Sequence, residues 1–141
     1  MDSGYCAEIM RFILIPLVSV FICQILKIIL YIGRREKLSM QNLIWEGFWV
    51  GKFPSSHAAL IASLLYLLWK DIGFSSVFAF AFFISLLIIY SLLENRKRRE
   101  IIESHIGENK KLQEFDGHTV FEIISGIVIG IVVAIFLDYI I

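Results

Sequence analysis

The chain has 141 residues, room for one domain, and 58% of them are hydrophobic. A mean hydropathy of +0.79 is more apolar surface than a globule of this size can hide, which excludes an ordinary water-soluble domain and makes the bilayer the expected solvent. Thirteen basic residues balance thirteen acidic ones, so no global field favours nucleic acid, and two cysteines, Cys6 and Cys23, are too few for a disulfide framework.

The first apolar segment covers residues 9–32 and is broken only by Arg11, Ser19, Gln24 and Lys27. It is longer than the apolar part of a secretory signal and has no small-residue cleavage site before Lys27, so it is expected to remain as a membrane helix. A polar connector, 33–53, follows. The second apolar stretch, 55–69, covers ~22 Å at 1.5 Å per residue, short for a crossing, so it is expected to start below the headgroups or sit inside the bundle. Lys70-Asp71-Ile72-Gly73 predicts a tight turn into an antiparallel neighbour. Residues 74–93 form a full-length span, rich in phenylalanine and expected to face lipid.

Residues 94–117 carry six basic and six acidic side chains. Leu92, Leu93, Ile101, Ile102 and Ile106 would line one side of a helix lying on the membrane, and a solvated connector is the alternative. The fourth span is 119–141. The predicted fold class is therefore all-α: a polytopic transmembrane helical bundle of about four membrane helices with an interfacial charged connector, forming a single membrane-embedded domain over 1–141.

Connector 33–53 holds four basic residues and connector 94–117 six, against Arg11 and Lys70 on the other side. The positive-inside rule then predicts a multi-pass protein of the cell membrane with both connectors cytoplasmic and both termini outside. Arg96-Lys97-Arg98-Arg99 reads as part of this signal, in contact with anionic lipid. The same folding brings Lys27, Arg34, His57 and His118 to the cytoplasmic ends of their helices.

Two of those residues are imidazoles with informative neighbours. His118 stands four residues before Glu122, a spacing that stacks the pair on one helical face. The carboxylate would fix the tautomer and leave the other ring nitrogen as nucleophile or base. Continuing by fours reaches Gly126 and Gly130, a small-residue ridge for close helix packing, within one chain or between two copies of a homo-oligomer. Pro54-Ser55-Ser56-His57 reads as a helix entrance, with serines able to cap and N–H groups turned toward an anion. Lys27 lies deeper in its apolar run than a flanking charge usually does, and an anion would justify it. No metal-ligand spacing occurs among the three histidines, so no metal is expected.

Taken together, these motifs resemble the type 2 phosphatidic acid phosphatase and vanadium-dependent haloperoxidase superfamily, in particular its small divergent bacterial membrane branch. Lys27 and Arg34 match the first motif, with Arg35 where proline is usual. Pro54, Ser55 and His57 match the second, with Ser56 in place of glycine. Gly117, His118 and Glu122 match the third, while Leu112 holds the place of its arginine.

The resemblance implies a metal-free lipid phosphatase acting on phosphatidic acid or a prenyl diphosphate through a phosphohistidine. His118, His57 and Glu122 would be catalytic, and Lys27, Arg34, Ser55, Ser56 and Gly117 would hold the phosphate. It implies no cofactor, inhibition by vanadate, and membrane lipids as partners. The alternative expectation is a non-catalytic protein on the same scaffold that binds or helps move lipid headgroups.

Overall fold

A computed structural model describes residues 3–33, 53–106 and 118–141, and these are helical almost throughout. The helices are α1 (Ser3–Gly33), α2 (Ser56–Ile72), α3 (Ser76–Ile106) and α4 (Val120–Ile140). Three are long and apolar enough to cross a membrane, over Glu8–Leu30, Ser76–Arg98 and Val120–Ile140. The predicted membrane bundle is the observed fold. Helix α2, with 17 residues, is the short one, and it is lined by buried Ser56, Ala58, Ala59, Ile61, Ala62, Ser63 and Leu67. The second predicted alternative for this segment, a helix inside the bundle, is what forms.

Local chemistry sets the helix ends. Ser55 caps α2, its Oγ accepting the Ala58 N–H at 3.3 Å. At the other end the Gly73 N–H donates to the Trp69 carbonyl at 2.8 Å, and Gly73 adopts φ of 59°, a left-handed value that suits glycine. Ser75 caps α3 by accepting the Phe78 N–H at 3.2 Å. The turn predicted at 70–73 is thus a glycine-ended helix followed at once by a capped one.

Helix α3 departs from expectation by continuing through residue 106 instead of ending near Leu93. Nothing between Leu93 and Ile106 breaks a helix, since neither glycine nor proline occurs there. Arg98 also pairs with Glu94 one turn back at 2.8 Å, the favourable order of signs along a helix. Its apolar half is the lipid-facing one. No residue of Ser76–Arg98 is buried, and Phe80 and Phe83 are 71% and 64% exposed.

Helices α1, α2 and α4 form the packed core. Helices α2 and α4 run parallel, with α1 antiparallel to both, and each contributes one ridge of residues spaced by four. On α1 the ridge is Arg11, Ile15, Ser19, Cys23 and Lys27. On α2 it is Ser55, Ala59, Ser63, Leu67 and Asp71. On α4 it is Glu122, Gly126, Gly130, Ala134 and Asp138. Ile15, Leu67 and Ala134 meet as a fully buried apolar cluster one turn in from the Arg11 end. The small residues in mid-ridge permit close approach. A methyl group added at Gly126 would fall 2.2 Å from the Ser55 carbonyl oxygen, and one at Gly130 2.2 Å from that of Ala59. The glycine ridge therefore packs within the chain, against α2.

Candidate functional site

The N-terminal ends of α2 and α4 lie side by side, held by backbone bonds. The Ser55 N–H donates to the Glu122 carbonyl at 3.0 Å, and the His118 N–H to the Leu92 carbonyl of α3 at 3.2 Å. Phe53 stacks on Phe121 with ring centroids 5.2 Å apart. The first turn of α4 is thus held to the entrance of α2, and His118 just before it to α3.

Within this corner the rings of His57 and His118 meet edge to face, centroids 5.7 Å apart and planes at 89°. The structure therefore brings together the two imidazoles that the sequence singled out. His118 is completely buried, while His57 is exposed on the first turn of α2. Rings at this separation are in direct contact and leave no room between them for a tetrahedral phosphate. Admitting one requires a ring to move, and His57 is the exposed one of the two.

Lys27 is also buried, at 7% exposure. Its level in the bundle follows from the ridges. Arg11, Asp71 and Asp138 are tied together at the far end, and Lys27, Ser55 and Glu122 each lie sixteen residues from that tie along their own helix. At 1.5 Å per residue each run is ~24 Å long. The bond between Ser55 and Glu122 is the direct mark of a shared level. Arg34 and Gly117, the other predicted phosphate ligands, lie outside the described residues.

Glu122 has a structural task that the spacing did not suggest. Its Oε2 accepts the Thr119 N–H at 2.8 Å while Thr119 Oγ1 accepts the Glu122 N–H at 3.1 Å, a reciprocal capping box at the start of α4. Ser55 and Ser56 are buried, with the Ser55 hydroxyl serving as the α2 cap. Among the described residues no cluster of three or more metal-ligating side chains occurs.

The sequence offered Arg96 only as a topology charge and as an out-of-register stand-in for the arginine that Leu112 replaces. Arg96 lies one turn beyond Leu92 on the unbroken α3 and is half-buried, whereas the adjacent Lys97 and Arg98 are exposed. Helical side chains lean toward the N-terminus, and the turn before Arg96 holds Leu92, whose carbonyl accepts the His118 N–H. The missed signal was the continuity of the helix past Leu93.

No curated protein and no solved structure gives a match to the chain. The family described as the divergent PAP2 family matches residues 10–133, a span holding Lys27, His57, His118, Glu122 and both glycines of the α4 ridge. With its membrane bundle and paired imidazoles, the chain belongs to the divergent PAP2 family.

Proposed function

We propose that this PAP2-related membrane protein is a lipid phosphatase, hydrolysing a lipid phosphomonoester or diphosphate through a phosphohistidine. The observation that carries this reading is the contact between His57 and His118 on two helices locked side by side. One ring is buried and one exposed, which suits a fixed nucleophile and a mobile acid–base group.

In this reading His118 attacks phosphorus with a ring nitrogen. The phosphorus–oxygen bond to the lipid breaks, and His57 gives its proton to the leaving oxygen. Water then attacks the phosphohistidine, His57 takes its proton, the phosphorus–nitrogen bond breaks, and inorganic phosphate leaves. Lys27, Arg34 and Arg96 would face the equatorial oxygens, where negative charge spreads in the transition state. Ser55, Ser56 and Gly117 would supply hydrogen bonds to them. Glu122 would steady His118 with the carboxylate oxygen that the capping box leaves over.

The test is phosphate release from phosphatidic acid or a prenyl diphosphate by protein in detergent without added metal. Wild type is expected to turn over and to be blocked by vanadate, and His118→Ala to lose activity while staying folded. Equal release by the two proteins would defeat the proposal. The charge count puts the site at the cytoplasmic face, so a reporter fused after Ile141 is expected outside; a cytoplasmic signal reverses that orientation.

A second reading, a headgroup binder without turnover, draws on the capping box, which gives Glu122 a purpose independent of catalysis. It predicts vanadate or phosphate binding by a protein that never releases product.

A further inference from the structure

Far from the imidazoles, four charged side chains form one network that the chemistry above does not use. Asp138 is the centre, with a side chain only 1% exposed. Its Oδ1 accepts from Arg11 at 2.9 Å, and its Oδ2 pairs with Lys70. The other terminal nitrogen of Arg11 reaches Asp71, 2.5 Å and 2.6 Å from the two carboxylate oxygens. Two cations and two carboxylates neutralise one another. Charges placed inside membrane-spanning helices are costly and persist only when paired in this way.

The pairing is directional, as is the Ser55–Glu122 backbone bond at the opposite end of α2 and α4, whereas the small residues between them are not. Ser19, Cys23, Ala59, Ser63, Gly126 and Gly130 present small surfaces, which allow close approach but oppose sliding only weakly. One guanidinium bridging Asp71 and Asp138 ties α1, α2 and α4 at a single level. The equal sixteen-residue runs to Lys27, Ser55 and Glu122 carry that level to the imidazole end. A slip of one residue is 1.5 Å along the axis, and a misplacement of about 1 Å can cost about 10²-fold in rate.

We infer that the Arg11–Asp71–Asp138–Lys70 cluster is a register lock, whose members are positioning residues for the His57–His118 site at the opposite end of the same three helices. The catalytic part of this statement rests on the phosphatase reading. The geometric part does not.

The experiment uses full-length protein in lipid, with Cys6→Ser and Cys23→Ala, and nitroxide labels on cysteines replacing the exposed Ile29 of α1 and Ile124 of α4. Pulsed electron paramagnetic resonance then reads the distance between the labels. Asp138→Asn is expected to shift or broaden that distance and to lower kcat on phosphatidic acid at least tenfold, with KM changed less than threefold. Asp138→Glu is expected to restore both. Leu67→Ala serves as the stability control: it opens a cavity beside the cluster without touching an ion pair, and is expected to lower the melting temperature while leaving distance and kcat in place.

If Asp138→Asn does not fold, Arg11→Lys keeps the charge but loses the fork across two carboxylates, and the same shift is expected. A distance distribution in the lock variant that superimposes on wild type overturns the inference, whatever the activity. Unchanged phosphate release on His118→Ala, with the distance still shifted, would instead sink the phosphatase reading and leave the lock standing.

Discussion

Arg11 and Asp138 are 127 residues apart in the chain and 2.9 Å apart in space. Their ion pair closes the bundle at the end away from the histidines, and most of it is shielded from water. Removing one partner strands the other. We expect Asp138→Ala to destabilise the protein by ~3–5 kcal/mol, the range for breaking a buried pair. Asp71→Ala should cost less, since its side chain is 28% exposed against 1% for Asp138. Thermal unfolding in one detergent, both variants side by side, checks the order; equal losses would contradict it.

The glycine ridge gives a prediction with a sharper steric basis. Gly126→Ala and Gly130→Ala each place a methyl group against a backbone carbonyl of α2, which cannot rotate away as a side chain would. Overpacking of this kind costs ~1–3 kcal/mol or more, and the helices must separate to absorb it. Since Ser55 is held to Glu122 beside the Gly126 contact, phosphate release should fall together with stability. A Gly130→Ala protein as stable and active as wild type would refute the close packing.

Capping and catalysis can be separated at Glu122. Glutamine preserves the capping box but carries no charge, so Glu122→Gln should unfold within about 0.5 kcal/mol of wild type. Thr119→Ala removes the other half of the box and should cost ~1 kcal/mol. If the carboxylate also steadies His118, Glu122→Gln loses at least tenfold in kcat while Thr119→Ala loses less. Full activity in Glu122→Gln would confine Glu122 to the cap.

On α3, two arginines two positions apart should behave differently. Arg96→Ala is expected to weaken vanadate binding and turnover at least tenfold, because Arg96 is half-buried one turn beyond Leu92, whose carbonyl holds the His118 N–H. Arg98→Ala removes an exposed pair with Glu94 and should cost only ~0.3–0.5 kcal/mol, with activity unchanged. Titration with vanadate distinguishes them.

The four helices and the imidazole pair were legible in the sequence because each rests on a local pattern. Apolar runs of bilayer length mark α1, α3 and α4, Pro54-Ser55-Ser56 marks the entrance to α2, and spacing by four marks the α4 ridge. The Arg11–Asp138 pair was hidden because its partners are remote: Arg11 and Lys70 registered as topology charges, Asp71 as a turn residue, and Asp138 as nothing in particular. Only tertiary contact gives them meaning. The extension of α3 was missed for a different reason. A change from apolar to charged composition reads as the end of a span, yet it does not end a helix that has no breaker. The capping box shows the converse: the sequence drew attention to Glu122 four residues after His118, and the geometry displays its bond to Thr119, three residues before it.

The most enclosed helix is also the one least able to enter a bilayer unaided. Helix α2 depends on the close fit of Gly126 and Gly130, which are synthesised only after α3 and the charged connector. Until α4 emerges, α2 carries serines and a histidine with no glycine surface to receive them. The close fit that encloses α2 can therefore form only after the last helix of the chain has been made.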